Sequence, residues 1–473
     1  MPEAPGDAPQ ESQPAAGAAA ETFLAALRAA DAARARRLWR RQPALATASS
    51  HAACALGEAD LVAGALAAHP RLAVAPHEAA AEWTALLYLC ASPFHASSPA
   101  RAAGIRRCAE ALLDAGADPN SSTSVDLDHP EARLSALYYA CVNDSVEVVR
   151  LLLARGADPN DGESVYHAAE MDHRDCLELL RAAGAELSQP HPVWQNTPLY
   201  FLAGYGEQDR RCARVTAGMR WLLEHGADPN MASSDRAETP LHRVVLSGRS
   251  TEVAELLLDH GAALDTRRAD GRTAYVLAVR AGQTALADFL RGKGAATAGA
   301  EPRDVFAGAC MEADRDRVGA LLADHPDLLA NLAEEDRQLL AAAAGEGRTA
   351  SVRLMVELGF DLAWEGEHGG TALHHAAWRG NSALVRELLA LGAPLDVRDR
   401  QFGSSPLGWA AHGSRHCRSA DDDYCAVAEA LLDASSSLVA ATNRWNEPPE
   451  ALASRRVAAL LRRRGRQPRP EEP

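Results

Sequence analysis

From Thr239 to Asp265 the chain reads "TPLHRVVLSGRSTEVAELLLDHGAALD", with two apolar runs of helical spacing separated by a polar "SGRS". Apolar residues at three- and four-residue intervals predict two amphipathic helices. Thr239 is placed to cap the first, and Pro240, which lacks an N–H, suits its first turn. Gly261 stands where a residue of positive φ commonly ends a helix. The alternation recurs along the chain. The helix-ending glycines Gly116, Gly156, Gly184, Gly226, Gly261 and Gly294 are separated by 40, 28, 42, 35 and 33 residues, and Gly359 and Gly392 by 33. A period near 33 residues predicts an all-α chain of stacked helix pairs, each too small to bury its own apolar face.

The start signals "TPLH" (239–242), "TPLY" (197–200) and "TALHHAA" (371–377), with the turns "GADPN" at 116–120, 156–160 and 226–230, resemble the ankyrin-repeat family. The resemblance spans roughly residues 22–465 and is most specific in the central repeats. It implies an all-α ankyrin solenoid of helix-turn-helix units joined by short hairpin-like turns, with about thirteen pairs if the degenerate ends are counted. It also implies that the histidine of "TPLH" holds neighbouring repeats together, and that the chain is a noncatalytic scaffold holding a protein partner in its concave groove.

A second pattern is superimposed. Phe23, Asp31 and Pro43 recur as Phe306, Asp314 and Pro326 with identical intervals of 8 and 12 residues. This predicts two related blocks in tandem, at 21–298 and 299–465, each opening with an atypical unit and flanked by disordered tails at 1–20 and 466–473. The layout, with "GGTALHHAAWRG" and "SPLGWAAHGSRHC" in the second block, resembles a group of bacterial ankyrin-repeat proteins. Three units are stretched, at 91–104, 204–218 and 411–427, and each insertion is expected between the two helices of its repeat.

Composition narrows the function. A net charge of −16 disfavours nonspecific affinity for nucleic acid or anionic membranes. No apolar run reaches the ~18 residues of a membrane span, and the N-terminus lacks a secretory pattern. The nine cysteines, odd in number and mostly inside apolar stretches, read as reduced thiols. A cytoplasmic protein is expected, without nucleic-acid or membrane partners and of undetermined oligomeric state. Lys293 is the only lysine among 48 basic residues, and alanine is abundant, as in a GC-rich bacterial genome.

Catalytic signatures are sparse. "GEGRTA" (345–350) and "HRD" (173–175) fall at interhelix turns and are not read as phosphate or kinase loops. The arginine clusters at 34–41 and 455–469 read as the polar outer faces of terminal units. No cofactor or metal is expected. The alternative is a metal or catalytic site in the 411–427 insertion, where His412, His416, Cys417 and Cys425 accompany Asp421, Asp422 and Asp423 in a spacing that fits no common zinc finger. A host-directed effector is a further alternative without a recognisable export signal.

In ankyrin stacks the variable groove positions are turn residues before the start signal and residues after the small pair of the first helix. This rule selects Met171, Trp194, Tyr205, Leu246, Arg280, Trp364, Trp378 and Arg379 as partner-binding residues, with Phe402 among further turn positions. Aromatic residues and arginine are enriched in binding hot spots.

Overall fold

The computed structural model describes residues 16–124, 129, 131–206, 211–233, 236–417 and 423–465. The described chain is all-α but for one short hairpin, Ser122–Ser124 paired antiparallel with Arg133–Ser135, and two isolated bridges. Among the described residues thirteen helix pairs, from Ala16–Arg28 with Ala32–Arg41 to Pro449–Leu452 with Arg455–Gly465, are accompanied by two single-turn helices, Leu45–Ala48 and Glu334–Arg337. Packing divides the chain into two compact units, with the boundary in sequence between Ala274 and Tyr275.

Within the first unit, the leading helices Ser50–Leu56, Ala85–Cys90, Ala136–Val142, Ser164–Glu170, Pro198–Ala203 and Pro240–Leu246 pack on one another in sequence, forming an inner row. The trailing helices, such as Ala59–Ala68, Pro99–Asp114 and Val146–Ala154, form an outer row. The second unit repeats the scheme: Leu339–Gly345, Ala372–Trp378, Pro406–His416 and Pro449–Leu452 lie inside, and Ser382–Ala390, Tyr424–Ala434 and Arg455–Gly465 outside. Small pairs allow the inner helices to approach, and Ala343, Ala344, Ala376, Ala377, Ala410 and Ala411 are buried. Packing can be tighter still. A Cβ on Gly308 would stand 2.0 Å from the Val279 carbonyl oxygen.

The start signals work as capped helices. Thr239 and Thr371 close capping boxes with His242 and His374: the backbone N–H of each threonine donates to the histidine Nδ1, at 3.1 and 3.2 Å. With Nδ1 accepting, the proton of His374 sits on Nε2, which faces the Ser404 carbonyl at 3.3 Å. Burial pulls the His374 pKa down to about 4, so the ring is neutral near pH 7. All eight ruler glycines have positive φ, from 85° at Gly392 to 101° at Gly294.

The "GADPN" turns form joints in the first unit. Asn120 donates Nδ2–H to the Gly156 carbonyl (3.0 Å) and accepts the Asp158 N–H on Oδ1 (2.8 Å). Asn160 clamps Gly184 and Glu186 in the same way, and Asn230 clamps Gly261 and Ala263. Each asparagine thus ties its own turn to the backbone of the next.

Several expectations need adjustment. The first helix begins at Ala16, so residues 16–20 are not tail; those expected at 1–15 and 466–473 lie outside the described residues. Among the described residues, parts of the insertions join the flanking helices, while 207–210 and 418–422 lie outside the described residues. Residues from Pro99 lengthen an outer helix to 16 residues, and 411–416 extend the inner helix Pro406–His416. "HRD" and "GEGRTA" do lie at interhelix turns: His173 Nδ1 bonds the Cys141 carbonyl (2.8 Å), and Gly347 has φ of 74°.

Candidate functional site

In the second unit, three consecutive turns and three inner helices surround a recess of about 470 Å³. Its walls are assembled from Trp378 and His375 of Ala372–Trp378, Trp409 and His412 of Pro406–His416, Leu452, and the turn residues Glu367, His368, Phe402, Asn443, Trp445 and Glu447. Sequence register explains the convergence. His375 and Trp409 each stand four residues after a helix-capping Thr371 or Ser405, so they occupy the same face of adjacent inner helices. Trp378 and His412 lie one turn further along that face.

Trp409 forms the floor. It is 7% exposed, and its indole N–H donates to Asp399 Oδ2 at 2.9 Å. The same carboxylate accepts the Ser404 and Phe402 N–H groups, so one buried acid fixes both the floor and the Phe402 turn. The other rings stand at steep angles to Trp409: Trp378 at 6.2 Å and 77°, Phe402 at 6.4 Å and 63°, His375 at 5.1 Å and 68°. Edge-to-face packing of this kind is favourable and leaves ring faces available.

Trp445 completes the rim and is 58% exposed. Buried Asn443 shapes its turn by accepting the Trp445 and Glu447 N–H groups at 3.0 and 2.9 Å, while its amide donates to Glu447 Oε2 at 2.9 Å. Backbone bonds tie the turns in series, Gln401 N–H to the His368 carbonyl (3.2 Å) and Arg444 N–H to the Phe402 carbonyl (2.9 Å). Burial lowers the pKa of His375, and burial with the charges of His416 and Arg415 lowers that of His412. Glu367 and Glu447 are the two carboxylates among the lining residues.

The eight residues selected from sequence are distributed differently. Trp378 lines the recess, and half-buried Arg379 follows it as the helix C-cap. Trp364 lies apart, under the Arg337 guanidinium at 4.8 Å. Arg280 is not an exposed arginine: it is buried against Asp336 at 2.5 Å and Asp304 at 3.5 Å. In the first unit Trp194 and Leu246 are 48% and 45% exposed, and Met171 is half-buried. Tyr205 donates to Glu170 (2.8 Å) beneath the Arg211 guanidinium. Glu170 in turn belongs to a buried network. His167 bridges Glu170 (2.7 Å) and Glu163 (3.2 Å), and His191 also bonds Glu163 (3.0 Å). Burial pulls the His167 pKa down, but the hydrogen bonds and charges of the two carboxylates outweigh it and hold the value at about 9.

Trp409, Trp445 and His368 were missed by the sequence rule, which took the residues after the small pair of each inner helix and only some turn positions, such as Trp364 and Phe402. The i, i+3 relation of Trp409 to His412 was the available signal. His412 and His416 lie side by side, ring centres 4.4 Å apart, and His412 packs on Trp378. Among the described residues no three His, Cys, Asp or Glu side chains converge to hold a metal; Asp421 and Asp422 lie outside them. All nine cysteines are thiols, six of them buried, and burial pushes that of Cys310 up to about 12.

Comparison with known proteins agrees with this architecture. The chain is 30% identical over 222 residues to human ankyrin repeat and SOCS box protein 16, covering 39% of this chain and 47% of that protein. It is 31% identical over 162 residues to the putative ankyrin repeat protein YahD of Escherichia coli, covering 33% of this chain and 74% of the other. Over 306 residues it is 26% identical to the Arabidopsis thaliana E3 ubiquitin-protein ligase KEG, covering 60% of this chain but 18% of KEG. It thus spans about half, or less, of the length of the first two curated relatives it matches, human protein 16 and KEG. A solved structure, the human ASB11 ankyrin repeat domain, aligns with a TM-score of 0.39 at 26% identity, covering 52% of this chain and 97% of that one. The family described as ankyrin repeats (3 copies) matches residues 50–191, 211–299 and 306–399, well over half of the chain, and the protein belongs to the ankyrin-repeat family.

Proposed function

We propose that this protein is a noncatalytic scaffold that holds a protein partner against the inner-helix and turn face of its repeats. The observation that carries this reading is the recess of the second unit, an open cavity walled by the rings of Trp378, Phe402, Trp409 and Trp445. Specific recognition concentrates in such aromatic-lined pockets. The strongly shifted titratable groups support a structural and not a catalytic use, since His167 and His374 are engaged on both ring nitrogens by the fold itself. Buried reduced thiols favour a cytoplasmic setting, and no described helix is long and apolar enough to cross a membrane.

The residues proposed as partner-binding are Trp378, Arg379, Phe402 and Trp445 in the second unit, with Met171, Trp194 and Leu246 as candidates in the first. Arg280 is left out because its charge is engaged internally. The test is affinity capture from the native organism with wild-type chain and with a Trp445→Ala, Arg379→Ala double variant. A protein retained by the first and lost by the second, at unchanged melting temperature, is the expected outcome. Equal retention by both would remove the recess from the proposed interface.

A further inference from the structure

We propose that the recess receives an arginine side chain from an extended segment of the partner, a specificity that rests on the scaffold reading above. The chemistry of the walls points to a cation. Three indoles and Phe402 present π faces and edges around one cavity, and the electron-rich face of an indole attracts a cation within about 6 Å of its centre. Two carboxylates, Glu367 and Glu447, stand on turns at either side, and no arginine or lysine is found among the described lining residues. Of the nearby guanidinium groups, Arg400 pairs with Glu365, Arg398 bonds the Gly403 and Thr442 carbonyls, and Arg444 bonds the Gln401 carbonyl while lying over the rim ring Trp445. A cation entering the recess therefore meets aromatic faces and negative charge together.

Geometry favours a guanidinium over an ammonium. The rings meet edge-to-face at 63–77°, which leaves single ring faces on which a flat group can stack, and a planar fork can also bond a carboxylate through two N–H groups. The same unit already uses this pairing twice on its own surface, with Arg337 at 4.8 Å over Trp364 and Arg444 at 5.4 Å over Trp445. The Trp445 example shows that a rim ring of the recess accepts a guanidinium. A volume of about 470 Å³ exceeds one side chain and leaves room for the flanking residues of an extended peptide.

The experiment uses the full chain and four degenerate nonapeptide pools with arginine, lysine, trimethyl-lysine or glutamine fixed at the centre, read by fluorescence polarisation. The arginine pool is expected to bind about tenfold more tightly than the glutamine pool, and more tightly than either lysine pool. A Glu367→Gln, Glu447→Gln double variant, which keeps the shape of two exposed side chains, should reduce the arginine preference to about twofold or less. Trp445→Ala should weaken the arginine pool selectively. Preference for trimethyl-lysine would overturn the assignment to arginine. Equal binding of all pools, abolished by Trp445→Ala, would overturn the cation while leaving the recess as a docking site. Undetectable binding of every pool, or an arginine preference that survives the double glutamine variant, would overturn the inference altogether.

Discussion

A histidine can carry opposite signs of pH dependence in two places of one fold. His374, buried neutral, has a pKa lowered to about 4 against 6.5 unfolded. Between those values the unfolded chain binds the extra proton, so stability of the second unit falls as pH drops from 6.5 to 4, by up to about 1.4 kcal/mol per pH unit. Urea midpoints read by tryptophan fluorescence should show this slope, and His374→Gln should be less stable at pH 7.5 yet flatter below 6.5. His167 behaves in reverse, because its pKa is raised to about 9 by Glu163 and Glu170 despite burial. Its contribution is complete below 6.5 and is lost as pH rises through 9, so His167→Gln should flatten the alkaline side in the first unit. The "TPLH" role of His374 was legible from its motif. The role of His167 was not, because its partners arrive through register from Glu163, three residues past a "GADPN" turn, and from the C-terminal end of its own helix.

At the scale of helices and turns, two glycines separate backbone strain from crowding. Gly261 has φ of 88°, with open space where a Cβ would sit. Gly261→Val should therefore cost about 1–2 kcal/mol through the backbone alone, and Gly261→Asn distinctly less. Gly308 lies inside the helix Pro302–Glu312, where alanine ordinarily stabilises by about 1 kcal/mol. Here the added methyl meets the Val279 carbonyl, so Gly308→Ala should lower the melting temperature, and a rise would refute the close approach. Helix pairs and their stops were readable because periodicity and glycine placement are local. The recess was only half readable: Trp378 and Phe402 follow from repeat register, whereas Trp409 and Trp445 depend on how neighbouring turns are brought together by Asp399 and Asn443. The insertions do fall between the two helices of their repeats, and some of their residues, from Pro99 and from 411 to 416, lengthen those helices.

At the scale of the molecule, stability is a sum of adjoining terms and not the property of one core. Leu241 is 1% exposed, and Leu241→Ala should cost about 2–5 kcal/mol within the first unit. Hydrogen exchange should accelerate around 198–263 while amides of 372–465 keep their protection; uniform acceleration in both would contradict additive, nearest-neighbour stability. The asparagine joints of the first unit carry a different consequence. Each Asn120, Asn160 or Asn230 contacts a carbonyl oxygen and an N–H of the following turn, groups that every non-proline residue possesses. Such a coupling is indifferent to the side chains of its neighbour. A gene encoding it can copy, delete or transpose whole units without a compensating change on the other side of the joint, so the array can lengthen by duplication while its recognition residues drift independently.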